Sequence, residues 1–207
     1  ITNRLVGSEM CIRDSNISIS LNSNVSLITK DKAKQLRDIG LDHILASWYS
    51  TDPNTTSHIT QVKGAQDKVI EGIKTCVDAG IRMSVNTIVT SHTLNSVYEA
   101  GKFLAELGVQ QFIAHRVIPP AYERALKEKN PANNLEANEA KDTLDILLRL
   151  KKEYSINVST LIGYPLCMIG DLEKYSDFVG RGCPSQSGHR FSIQASGDSH
   201  TCVMEDA

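Results

Sequence analysis

The chain has 207 residues, 41% of them hydrophobic, with twenty-two basic against twenty-four acidic side chains and a formal net charge of −2. That is apolar content for the core of one large domain, or of one domain with a small appendage. The concentrated Lys/Arg face that nucleic acid or an anionic membrane calls for is missing. No run reaches the roughly eighteen apolar residues of a membrane span and no signal peptide is visible. Five cysteines spread through a chain of this size do not read as a secreted disulfide framework, so the cytoplasm is the expected compartment and metal binding or reduced thiols the expected cysteine chemistry.

The first fifteen residues have neither helical nor strand periodicity. Read back into codons, Val6 to Ser15 match a transposase adapter of the kind used in sequencing libraries, so residues 1–15 are set apart from the fold as non-native text. The plain alternative is a disordered N-terminus. From Asn16 onward the expected elements are a strand at Ile17 to Leu21, a helix at Thr29 to Ile39, a strand at Ile44 to Ser47 and a helix at about Ala65 to Ala79. Then follow a strand at Met83 to Val89, a helix at about Leu94 to Leu107, a strand at Phe112 to Ile118, a helix at about Glu136 to Tyr154 and a strand at Ile156 to Thr160. The last helix carries Leu144, Ile146, Leu147, Leu148 and Leu150 as its apolar residues.

An acidic residue, an apolar one, Gly and another apolar one recur at Asp38-Ile39-Gly40-Leu41, Asp78-Ala79-Gly80-Ile81 and Glu106-Leu107-Gly108-Val109. Each closes a helix with a left-handed glycine and leads into a strand. Strands and helices alternating at this spacing predict an α/β fold with parallel strands and right-handed crossovers. In such folds ligands sit at the C-terminal strand ends, where Asn22, Ser47, Asn86 and Arg116 fall. Short polar residues also end strands for structural reasons. Trp48 and His115 read as packing, and Cys76 as a small buried apolar residue.

Near the C-terminus, Cys183 is followed by thirteen residues, Gly197, four residues and Cys202. The alternating run Arg190 to Gln194, a turn at Ser196-Gly197-Asp198 and a short return strand form a hairpin that brings the two thiols toward each other.

With these residues in view, the sequence resembles the radical S-adenosylmethionine superfamily, in particular members with a C-terminal SPASM domain that binds auxiliary iron-sulfur clusters. Cys183, Gly197 and Cys202 match the spacing that opens the SPASM extension. Ser47 through Ile73 resembles the fourth strand, loop and helix of the family barrel, Met83 to Val89 its fifth strand, and Arg116 to Pro119 the end of its sixth. The resemblance implies a partial TIM-type (β/α)6 barrel over residues 16–160, then a linker and the start of a SPASM-type hairpin domain over 161–207. It implies S-adenosylmethionine held by Asn22, Ser47, Asn86, Arg116 and Ile118, and a 4Fe-4S auxiliary cluster on Cys183 and Cys202. The implied chemistry is reductive cleavage of S-adenosylmethionine to a 5'-deoxyadenosyl radical that abstracts hydrogen, with a peptide or protein substrate and flavodoxin or ferredoxin as electron donor.

The departures are equally specific. The three-cysteine motif for the catalytic cluster and the glycine-rich strand end that holds the methionine amino group are missing, as are the later SPASM cysteines. Tyr49 stands where an Asp is common and Ser23 where Gly is usual. The expectation is a fragment truncated at both ends that is inactive by itself. The rival is a non-catalytic barrel-like binding module whose hairpin holds zinc through Cys183, His189, His200 and Cys202.

Overall fold

The computed structural model describes residues 18–91, 93–117, 135–161, 163–179, 192–193 and 196–201. Five strands form a parallel sheet in the order β1 (Ser20–Ser23), β2 (His43–Trp48), β3 (Arg82–Val89), β4 (Gln111–Arg116) and β5 (Asn157–Ser159). The helices between them are α1 (Lys30–Asp38), α2 (Pro53–Thr60), α3 (Ala65–Asp78), α4 (Val97–Glu106) and α5 (Ala137–Tyr154), with a short α6 at Leu166–Ile169. The expected alternation is therefore present, and α2 is an addition to it. None of the helices in the described residues is long and apolar enough to cross a membrane.

The three glycine stops work as their sequence implies. After α1, the Gly40 amide donates to Arg37 O at 2.9 Å and the Leu41 amide to Leu36 O at 3.0 Å. The same paired bonds recur from Gly80 and Ile81 after α3, and from Gly108 and Val109 after α4. This is the Schellman arrangement, which satisfies carbonyls the helix leaves open. It requires positive φ at the glycine, here 92°, 78° and 85°. Ile81 and Val109 are then buried as the next strand begins.

The chain groups into two compact units, Ile1–Asn86 with Lys102–Phe112, and Thr87–Gly101 with Ile113–Ala207. In the first, Ile44, Ala46 and Trp48 of β2 and Val69, Ile73 and Cys76 of α3 are buried. Ile17 of the expected first strand lies outside the described residues; β1 runs over Ser20–Ser23, paired with β2 so that Asn22 sits opposite Leu45 and Ser23 opposite Ala46. α2 starts at a strong local signal, since Asp52 caps the amides of Asn54 and Thr55 at 3.2 and 2.8 Å and Pro53 occupies the first turn.

In the second unit α5 buries Ala140, Thr143, Leu144, Leu147 and Leu150. That stripe follows the 3.6-residue period and leaves Ile146 and Leu148 half-buried. Glu136 and Glu139 close the N-terminus as a capping box. The following segment is tied to this helix, with the Tyr175 hydroxyl donating to Asp145 at 2.8 Å and Lys151 pairing with Asp177 at 2.6 Å. Also here, β6 (Ser192–Ile193) and β7 (Ser199–His200) pair antiparallel around Gly197, whose φ is 95°. A strand, turn and return strand thus stand where the sequence places a hairpin.

Candidate functional site

A row of side chains shows which way the strands face. Ser20 Oγ meets His43 Nδ1 at 2.7 Å, His43 Nε2 meets Ser84 Oγ at 2.7 Å, and Ser84 Oγ donates to Gln111 Oε1 at 2.8 Å. With the Ser84 proton on the Gln111 carbonyl, the Ser84 oxygen accepts from His43 Nε2–H, and in the neutral imidazole, which burial favours, the Ser20 hydroxyl donates to Nδ1. Side chains alternate along a strand, so the face that carries Ser20, His43 and Ser84 also carries Asn22, Ser47 and Asn86. Three of the sequence-predicted cofactor residues therefore share one sheet face near its C-terminal edge. Asn22 is exposed, while Ser47 and Asn86 are half-buried. The Asn86 Oδ1 atom is itself buried and has no hydrogen-bond partner among the described residues.

The neutral His43 has a pH consequence. Burial holds its pKa below the usual value and the Arg82 charge lowers it further; burial and Arg116 do the same to His115. Both groups take up protons more readily in the unfolded chain, so their stabilising effect is complete above about pH 6.5 and is lost as pH falls through the lowered folded values. Thermal melts from pH 7.5 down to 5.5 are expected to show a falling melting temperature. His43→Gln is expected to shallow that slope, and an unchanged slope refutes the assignment.

Arg116 belongs to the second unit. Alternation puts it on the side of β4 opposite His115, half-buried, with Nη1 at 3.4 Å from Val117 O. Burial pushes the Tyr164 phenol up, and the Arg116 charge partly offsets this. The Tyr164 hydroxyl is buried without a hydrogen-bond partner among the described residues. Tyr164 stands between Gly163 and Pro165, and Pro165 caps α6. Ile118, Cys183, His189 and Cys202 lie outside the described residues. His200, the zinc alternative's remaining ligand, has its Nε2 buried and without a hydrogen-bond partner among the described residues.

The fit to the two expected cofactors differs. An unpartnered amide oxygen beside a hydroxyl on a strand-end face suits a ligand rich in hydroxyl and amino donors, as S-adenosylmethionine is. A 4Fe-4S cluster takes four thiolates. Among the described residues Cys76 is fully buried with its thiol pushed up to about 11 by burial, and Cys167 is exposed elsewhere. The described residues hold no group of three or more metal-ligating side chains. The cluster's expected ligands, Cys183 and Cys202, lie outside the described residues.

A parallel α/β sheet with polar side chains gathered on one face near its C-terminal edge belongs to the class of folds that take a small molecule at their strand ends. Residues 2–104 match the Radical SAM superfamily, a class of enzymes. The matched range includes residues 2–15, which the codon reading sets apart.

Among curated proteins the chain is 34% identical over 94 residues to the probable GTP 3',8-cyclase of Sulfurisphaera tokodaii, covering 45% of this chain and 29% of that one. It is 30% identical over 135 residues to the probable GTP 3',8-cyclase of Saccharolobus solfataricus, covering 64% and 43%. The chain thus spans less than half the length of either. Among solved structures it resembles Streptococcus suis SuiB bound to S-adenosylmethionine, with a TM-score of 0.71 at 15% identity over 95% of this chain and 45% of that one. SuiB has also been solved with its precursor peptide SuiA, which the chain matches with a TM-score of 0.66 at 15% identity over 96% and 45%.

Proposed function

We propose that the chain is part of a radical S-adenosylmethionine enzyme that acts on a peptide or protein, and that Asn22, Ser47 and Asn86 hold the cofactor on their shared sheet face. The observation that carries the cofactor assignment is the buried, unpartnered Oδ1 of Asn86. Leaving such an atom without a partner costs about 1–3 kcal/mol, and a ligand hydroxyl or amino group removes that cost. Ser47, on the neighbouring strand, offers a hydroxyl that donates or accepts. S-adenosylmethionine, once bound and reduced, supplies the means of abstracting hydrogen from a substrate. The residues named here bind and orient it; they move no proton. The family resemblance also implies Arg116 and Ile118 as cofactor residues, and Cys183 and Cys202 as ligands of an auxiliary 4Fe-4S cluster.

Support for a polypeptide substrate comes from the Cys183, Gly197, Cys202 spacing, with the β6–β7 hairpin folded around Gly197. A second reading has its own observation. The curated relatives at 34% and 30% identity are named as GTP 3',8-cyclases, which favours a nucleotide substrate.

Titration calorimetry of the chain with S-adenosylmethionine tests the cofactor assignment. Binding is expected, and Asn86→Ala is expected to weaken it about tenfold, the equivalent of one lost hydrogen bond. Absence of binding, or an Asn86→Ala affinity equal to that of the parent chain, overturns it. GTP added to the chain preloaded with S-adenosylmethionine separates the substrates, since saturable GTP binding favours the second reading over the first.

A further inference from the structure

Trp48 and Gln66 each leave one polar atom buried and unpartnered, and both line the same small cavity. Trp48 ends β2 at 3% exposure, and Gln66 stands in the first turn of α3 at 7%. Neither the indole Nε1–H nor the amide Oε1 has a hydrogen-bond partner among the described residues. The cavity measures about 10 Å³ and is walled by Ser47 to Ser50, Thr56, Gln66 and Val69.

Three other polar groups of the wall are already bonded. Ser50 Oγ accepts from the Asp52 amide at 3.0 Å, Gln66 Nε2 donates to Thr51 O at 2.9 Å, and Thr56 Oγ1 donates to Ser50 O at 3.4 Å. The buried atoms of the wall that lack a partner among the described residues are one donor and one acceptor. A space of this size holds about one water, and a buried water is stable only where polar groups receive it; cavities that stay dry are lined by apolar atoms. Water matches these open valences because it accepts and donates at once.

We propose that the cavity holds one bound water, which accepts from Trp48 Nε1–H, donates to Gln66 Oε1, and fixes the end of β2 on which Ser47 sits. Both protein partners are already held in place. The Trp48 ring packs on Phe103 with centroids 5.6 Å apart and planes tilted by 34°, and Gln66 is anchored through its Nε2 bond. The water then ties the strand end to α3. Trp48 is buried on the face of β2 opposite Ser47, so it acts on Ser47 through the backbone, as a positioning residue. This positioning role rests on the proposed cofactor site, whereas the water does not.

A high-resolution crystal structure of the chain is expected to show density for a single water within hydrogen-bond distance of both atoms, and an empty cavity overturns the proposal. Urea unfolding of Trp48→Phe, Gln66→Leu and the double variant gives an independent test. Each single change is expected to lower the folded-to-unfolded ratio about tenfold, and the double change little more than the worse single one, because losing either partner releases the water. Effects that multiply to about a hundredfold refute the bridge. Trp48→Phe is also expected to weaken S-adenosylmethionine binding about threefold, while Gly80→Ala, which strains the backbone elsewhere, leaves it unchanged. Equal affinity in Trp48→Phe removes the positioning role. A parent chain that does not bind S-adenosylmethionine removes the cofactor reading and that role together, and the water then stands or falls on the density and the coupling.

Discussion

Gly72→Ala is expected to destabilise the chain by about 3 kcal/mol, although alanine is the better helix former by about 1 kcal/mol. Gly72 lies inside α3, fully covered by the loop that leaves β1. A Cβ built there falls 2.1 Å from Val25 O and 2.9 Å from the carbonyl carbon, far inside contact distance and against backbone. The loop has little freedom to retreat. Val25 is 2% exposed and holds a φ of 51°, a left-handed conformation that a β-branched residue resists, and the loop is closed by Ile28 N to Val25 O at 3.2 Å and Val25 N to Ser23 Oγ at 3.1 Å. The clash therefore outweighs the gain in helix propensity. Gly80→Ala is the matched control, because its φ is 78° but nothing lies within 4 Å of the added carbon, and about 1 kcal/mol is expected from backbone strain alone. Urea unfolding of the two variants decides the matter; a Gly72→Ala chain as stable as the parent shows that α3 and the loop do not approach as described.

Phe112→Ala is expected to cost about 3–5 kcal/mol, the range for deleting a fully buried aromatic side chain. Phe112 is completely buried on β4, and it is among the largest side chains enclosed in the protein. Removing the ring forfeits its transfer free energy and leaves a cavity that strands fixed by their hydrogen-bond ladder close only in part. A loss of that size takes most of the stability of a small domain. A denaturation midpoint close to that of the parent contradicts its place in the core.

The helix stops were legible because their cause is local: glycine supplies the positive φ, and the apolar residue after it packs on the last turn. The capping box at Glu136 and Glu139 and the α2 start at Asp52-Pro53 are just as local, yet α2 was passed over in the sequence for want of an apolar stripe after its cap. The shared face of Asn22, Ser47 and Asn86 was only half legible. Each was found at a strand end, but whether they point the same way depends on the phase of three separate strands, and a one-residue slip sends a side chain to the other face. The Ser20, His43, Ser84 and Gln111 row settles that phase, and it comes from residues far apart in the chain. The same alternation places Arg116 and His115 on opposite sides of β4.

By itself the sequence determined the α/β alternation, the glycine-closed helices, the hairpin around Gly197 and the resemblance to the radical S-adenosylmethionine superfamily. All of these are carried by short-range spacing of residue types. Only the tertiary structure decided that Gly72 is the contact point for Val25, that Trp48 and Gln66 open onto one cavity, and that Asn86 keeps a buried oxygen without a partner. Those facts depend on which backbones approach within a few ångströms after the chain has turned back on itself, and local propensity and periodicity carry no information about that distance.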